Sequence, residues 1–118
     1  MPTASQIDVR DVEGVKVIRF LIPQLFDERT VRDVSDQINA SLPNDGSPIR
    51  LAIDFTDIAL ISSSMLSKLI LLQKRIDATH GKMRLCEMSA VVQSVFRTSN
   101  LDRLFTIDRD LRGALASF

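Results

Sequence analysis

Leu51 to Leu72 constrains this chain more than any other segment. It reads LAIDFTDIALISSSMLSKLILL. An apolar run carrying one carboxylate (Leu51, Ile53, Asp54, Phe55) has the character of a buried strand. A second apolar cluster, Ile58 to Ile61, follows. Ser62, Ser63 and Ser64 then stand where a helix must begin. Serine suits a helix N-cap, where its hydroxyl accepts a bond from an orphan backbone N–H. The same position favours a phosphate, because free N–H groups and the positive end of the helix dipole face it. A hydroxyl at a helix start, in a chain with few other reactive groups, points to a switch rather than a catalyst.

The flanking sequence supplies the rest of an α/β layer fold. Ile7, Val9 and then Val12 read as a short first strand, Glu13-Gly14 turns the chain, and Val15 to Ile22 returns as the second strand of a hairpin. Pro23 ends that strand because it has no N–H to donate. Asp27 is the N-cap of a helix whose Val31, Val34, Ile38 and Leu42 share one face. Pro43 to Pro48 breaks the chain. Ile49 to Phe55 is the central strand, and the helix from Ser63 or Ser64 carries Leu66, Leu69, Ile70 and Ile76 on one stripe. Gly81 takes the C′ position after His80. Met83, Leu85 and Cys86 form a further strand. Ser89 caps a helix turning Val91, Val92, Val95 and Phe96 inward. Leu101, Leu104, Phe105 and Ile107 form a short apolar segment, partly strand, and Asp108 caps a last helix through Phe118. The order β-β-α-β-α-β-α-β-α predicts one domain over residues 1–118, with a mixed sheet of four to five strands and about four helices.

Composition narrows function by exclusion. Fifteen basic and fifteen acidic side chains balance, so no net field draws the domain to nucleic acid or an anionic membrane. Aromatic residues are 5% of the chain and all are Phe, a poor base-stacking set. No apolar stretch is long enough to span a bilayer, and the N-terminus has no signal-peptide core, so the expectation is a cytoplasmic protein without membrane insertion. One histidine, His80, cannot form a His pair for a metal, and no glycine-rich phosphate loop is present. No metal and no cofactor are expected. Ser64 and His80 sit at opposite ends of one helix, roughly 24 Å apart at ~1.5 Å per residue, which removes a Ser–His–Asp triad with Asp54. Asp54 reads better as a strand-end carboxylate accepting N–H groups at the helix start. Cys86, the only cysteine, reads as a small buried hydrophobe.

These residues also carry a family resemblance. Ile53-Asp54-Phe55, leading through Ile61-Ser62-Ser63-Ser64-Met65-Leu66 into a helix, resembles the STAS domain of anti-sigma factor antagonists, where a strand ending in Asp runs to Asp-Ser-Ser-Gly-Leu. Gly81 to Cys86 resembles the family's "GG-x-L-x-L" strand, Ser99 to Phe105 its "tgLdrlF" signature, and Leu25 to Thr30 its "eLDxxT" segment, with Asp27 on the motif Asp. The resemblance covers nearly the whole chain. It implies a non-enzymatic module that binds an anti-sigma factor which is also a serine kinase of the histidine-kinase-like ATPase type. It implies phosphorylation at Ser64, with Ser63 second, and a partner surface of Asp27, Ser62, Ser63, Ser64, Met65, Ser67 and Lys68.

Two departures stand inside the motif: Ser62 replaces its Asp and Met65 its Gly. They keep open a second reading, a STAS scaffold or a subunit of a signalling or transport assembly without a phosphoswitch. They also keep open a purely structural use of the serines, one capping the helix and the others satisfying the loop. Leu71 and Leu72 widen the apolar face of the serine-led helix, which suggests a partner surface or a weak homodimer. Lys68, Lys74, Arg75 and Asp77 are otherwise its solvated face.

Overall fold

The computed structural model describes residues 5–118. It begins with a hairpin of β1 (Ile7–Val12) and β2 (Val15–Phe20), with Val12 opposite Val15. Glu13 and Gly14 have φ of 51° and 83°. Two positive φ values in a two-residue loop match the right-handed twist of the paired strands. Leu21 makes one last bond, from its N–H to the Gln6 carbonyl at 2.9 Å, and the chain then leaves the sheet. β2 therefore stops at Phe20, not Ile22 as expected. Gln24–Leu25 becomes a separate strand, β3.

α1 (Glu28–Ser41) follows, with Val31, Val34 and Ile38 buried on its inner face. β4 (Arg50–Asp54) enters the centre of the sheet and is buried from Leu51 onward. A two-residue strand, β5 (Leu60–Ile61), pairs in parallel with β3 and leads into α2 (Ser63–Ala78). β6 (Lys82–Cys86), α3 (Ala90–Thr98), a 3-10 turn at Leu101–Arg103, β7 (Thr106–Ile107) and α4 (Leu111–Ala116) complete the chain. The main sheet runs β1-β2-β4-β6-β7, antiparallel only at the hairpin. The expected class, a mixed sheet packed with four helices, is the observed one.

The two faces of the sheet are covered unequally. On one, Ile18, Leu51, Ile53 and Leu85 pack with Val34, Ile38, Leu69, Ile76 and Phe96 in the main core. On the other, Val15, Val17 and Ala52 meet Leu111, Leu115 and Phe118. Strand alternation sorts each strand's residues between these cores.

Several local expectations are corrected. The left-handed residue after α2 is His80, with φ 60°, not Gly81. The His80 N–H bonds to the Asp77 carbonyl at 3.0 Å and the Gly81 N–H to the Ile76 carbonyl at 3.2 Å, closing a Schellman motif. Gly81 serves close approach instead, since a Cβ there would lie 2.0 Å from the Ile49 carbonyl oxygen. Asp110, not Asp108, caps α4 through the Gly113 N–H. Asp108 pairs with Arg84, its Oδ2 2.7 Å from Nε, with both side chains mostly covered. Val91 and Leu104 face outward at 62% and 49% exposure, while Val92 and Phe96 fill the inner face of α3 with Val95 partly buried beside them. Leu72 belongs to the core, which leaves only Leu71 of the expected apolar excess on α2.

Arg75 is not merely part of a solvated face. Its guanidinium donates to the Asn39 carbonyl at 3.0 Å, the Asn39 side chain at 2.8 Å and the Pro43 carbonyl at 3.1 Å. α1 has no basic residue in its own last turn, so a cation from α2 meets its carbonyl end. That contact ties the C-terminal ends of the two helices together beside their apolar seam.

Cys86 is fully buried, its Sγ 3.5 Å from the Ile53 carbonyl. Burial, reinforced by the Asp54 and Glu87 carboxylates, pushes its thiol up to about 12. The thiolate is the reactive form, so the folded protein resists thiol reagents at neutral pH. Labelling should appear only as denaturant unfolds the chain, and its midpoint should coincide with that of circular dichroism.

Candidate functional site: the α2 N-terminus

The site grows out of the end of β4. The Phe55 N–H bonds to the Cys86 carbonyl at 2.9 Å and finishes the strand. Asp54, expected to reach the helix start, instead accepts bonds from the Thr56 N–H at 2.8 Å and the Thr56 hydroxyl. This is the local turn a short carboxylate makes with its own backbone two residues on. Asp57 follows with φ 65°, and the Ile58 N–H returns to the Phe55 carbonyl at 3.1 Å. The chain is then stitched to the α1 approach. The Ala59 N–H bonds to the Pro23 carbonyl at 2.8 Å, and the Ser62 N–H to the Leu25 carbonyl at 2.9 Å.

Ser62 is the N-cap of α2. Its hydroxyl accepts from the Met65 N–H at 3.2 Å, and its carbonyl accepts from the Leu66 N–H at 3.1 Å. Among the three serines the cap is thus assigned, and the N–H groups of Ser63 and Ser64 stay at the helix mouth without intrahelical partners. No acidic residue lies in the first turn of α2, so an added anion meets no repulsion from its own helix.

Ser64 and Lys68, one turn apart, line an open groove of about 310 Å³ with Glu28, Val31 and Arg32 of α1. Ser63 and Ser67 form the adjacent exposed stripe. Ser62, Ser63, Ser64, Ser67 and Lys68, named from the sequence, therefore share one end of α2. Met65 does not join them at the surface. It is 1% exposed, belongs to the main core, and lines the α1–α2 seam with Ile38, Leu69 and Leu72. Large as it is, its side chain is directed away from any visitor to Ser64.

Asp27 is exposed at the start of α1, and its carboxylate accepts from the Thr30 N–H at 3.0 Å. Hydrogen bonding from Thr30, side chain first and backbone second, holds the Asp27 carboxyl below the usual carboxylate range. A depressed pKa means the cap contributes fully at neutral pH and loses its contribution as pH falls through that lowered value.

Sequence reasoning missed Glu28 and Arg32, the α1 wall of the groove. They sit one turn apart around Val31, a spacing that marked one stripe of α1 beside its apolar face. It also missed three exposed apolar residues outside the groove: Phe26 at 55%, Leu21 at 59% and Leu60 at 39%. Phe26 adjoins β3 and Leu60 lies in β5, two-residue strands too short to show alternation.

A mixed sheet with three helices on one face and one on the other, with a serine-led helix beside a partly charged groove, defines a domain of the α/β class. Residues 6–114 match the family model of the STAS domain, and the chain belongs to that family. Similar solved structures agree. An anti-sigma-factor antagonist (STAS) domain protein from Planctomyces limnophilus is 23% identical, with 98% of each chain covered and a TM-score of 0.85. An anti-sigma factor antagonist from Mycobacterium paratuberculosis is 22% identical, covers 94% of this chain and 91% of its own, and gives 0.81. The anti-sigma factor antagonist SpoIIAA, described in its unphosphorylated form, is 14% identical with 94% of each chain covered and gives 0.67. No curated protein sequence matches this chain significantly.

Proposed function

We propose that this chain is a non-enzymatic regulatory module of the anti-sigma factor antagonist kind. It docks on an anti-sigma factor that is also a serine kinase, and phosphorylation of Ser64 releases it. The observation carrying this reading is the placement of Ser64, behind a serine cap and within a groove shared by two helices. Ser62 supports it by doing the capping that the motif's Asp would do, since both side chains offer an oxygen to the first turn.

Electrostatics supplies the switch. Glu28, Arg32 and Lys68 bring one negative and two positive charges to the groove. A phosphate on Ser64 adds roughly −1.5 to −2 charges and three acceptor oxygens, reversing the local sign. The helix mouth and the two cations tolerate that charge within the free domain, so the fold persists. A partner that covers the groove must instead desolvate it without matching cations, and the complex fails. Ser63, more exposed, is the second acceptor.

The test is to incubate the chain with its cognate kinase and ATP and map phosphate by mass spectrometry, expecting Ser64. Ser64→Glu should raise the Kd for the partner at least about thirtyfold, as a buried unpaired charge requires. Absence of phosphate on Ser62, Ser63 and Ser64, together with unchanged binding by Ser64→Glu, would sink the switch. A constitutive scaffold on the same fold would then stand, with the serine cap as plain architecture.

A further inference from the structure

β1 is an outermost strand of the main sheet, and among the described residues no other strand pairs with its free side. Which of its groups are free follows from the ladder. The Gln6 carbonyl accepts from the Leu21 N–H. Hydrogen-bonded pairs alternate in an antiparallel ladder, so Asp8, Arg10 and Val12 bond inward to β2. The backbone N–H and C=O groups of Ile7, Val9 and Asp11 therefore point outward.

Charged residues on an edge usually prevent further pairing. The charges here alternate in sign, and that alternation is self-complementary in one register. An antiparallel two-fold pairing must set outward residues opposite outward residues. Centring on Val9 places Val9 against Val9, Ile7 against Asp11, and Asp8 against Arg10 twice over. Sliding the centre by one residue either way opposes Asp8 to Asp8 or Arg10 to Arg10. Both charged side chains are accessible, Asp8 at 39% and Arg10 at 74%, and they already pair within one chain at 2.8 Å. Val9, at 37% exposure, is among the large apolar residues left open.

We propose that a second copy of this chain docks on the β1 edge, in antiparallel register about Val9, joining two five-stranded sheets into one. The backbone supplies three reciprocal pairs, at Ile7, Val9 and Asp11. The crossed Asp8–Arg10 pairs select the register, since opposite charges facing across strands stabilise and like charges destabilise. The contact is isologous, as a two-fold interface must be. It uses a different surface from Leu71 on α2, and it does not depend on the phosphoswitch.

Sedimentation velocity across a concentration series should show a monomer–dimer equilibrium. Asp8→Arg should raise the dissociation constant about tenfold, and adding Arg10→Asp should restore it. Val9→Cys should form a disulfide-linked dimer under mild oxidation, because directly opposed residues fall within bridging distance. Asp11→Cys, opposite Ile7 rather than itself, should not. Cys86 gives no background, being buried. Circular dichroism melts verify that each variant folds. A monomer at every concentration, a dimer indifferent to Asp8→Arg, or equal cross-linking at positions 9 and 11 would each overturn the proposal.

Discussion

Replacing Gly81 by Ala should cost about 3 kcal/mol or more, read as a lower denaturant midpoint with an unchanged slope. A Cβ at this position would lie 2.0 Å from the Ile49 carbonyl oxygen, 2.6 Å from its nitrogen and 2.8 Å from its carbonyl carbon. All three are backbone atoms of the residue leading into β4, so no side chain can rotate away. The same junction is held by two hydrogen bonds, Lys82 N–H to the Ile49 carbonyl at 2.8 Å and Ile49 N–H to the Thr79 hydroxyl at 3.1 Å. Relief of the clash must break one of them or push β6 away from β4. Gly46→Ala is the control. Gly46 has φ of 82° but open space around it, so it should lose only about 1–2 kcal/mol, the cost of a left-handed backbone for a residue with a Cβ. A loss at Gly81 no larger than that at Gly46 would mean that β6 can shift to admit a Cβ, and that close approach to Ile49 is not what makes Gly81 necessary.

The contrast at Gly81 shows which parts of this fold were legible in the sequence. The hairpin, α1 and α2 are written as periodic apolar patterns and the central strand as an apolar run, and each reads from its own residues. The corrections fall where a distant group decides. Asp108 and Asp110 are equally good caps in sequence, and Arg84 on β6 takes the first of them, leaving Asp110 for α4. His80 accepts the left-handed turn because Gly81 is committed to Ile49. β3 and β5 exist only as partners of one another, and two residues cannot display a period. The serines of the site were legible because a helix start is a local event. Glu28 and Arg32 were not, because their place beside Ser64 depends on how α1 and α2 cross. The Arg75 contact with Asn39 and Pro43 helps to set that crossing from the far end of both helices.

This division gives the site its mechanical character. The first turn of α2 is anchored below by Met65 and Leu66 in the core and behind by the Ser62–Leu25 bond. Only Ser63, Ser64, Ser67 and Lys68 remain open to change. A charge added at Ser64 therefore alters the surface without disturbing the interior, which is what a switch between binding states needs.

Phe55→Ala should test whether the site depends on the core beneath it. Phe55 is fully buried at the point where β4 hands the chain to the serine loop. Its ring lies 5.3 Å from Phe20 at 59° and 6.4 Å from Phe96 at 83°, and Phe96 continues to Phe105 at 5.6 Å. Tilted and edge-on pairs of this kind add to the burial energy of each ring. Truncation should cost about 3–5 kcal/mol, from lost transfer energy plus the cavity left between Phe20 and Phe96. Its second effect is local. The Phe55 carbonyl receives the Ile58 N–H, and Ile58 and Ile61 pack in the same core, so a void there loosens the path to Ser62. Native-state hydrogen exchange should show the Ser62 and Met65 N–H groups exchanging through local opening, at denaturant concentrations too low to unfold β4. Phe55→Leu, which refills most of the volume, should recover much of the stability and slow that opening. If the two N–H groups exchange only with global unfolding in Phe55→Ala, the cap is held by β3 and the Leu25 carbonyl alone, and the aromatic row serves stability without bracing the site.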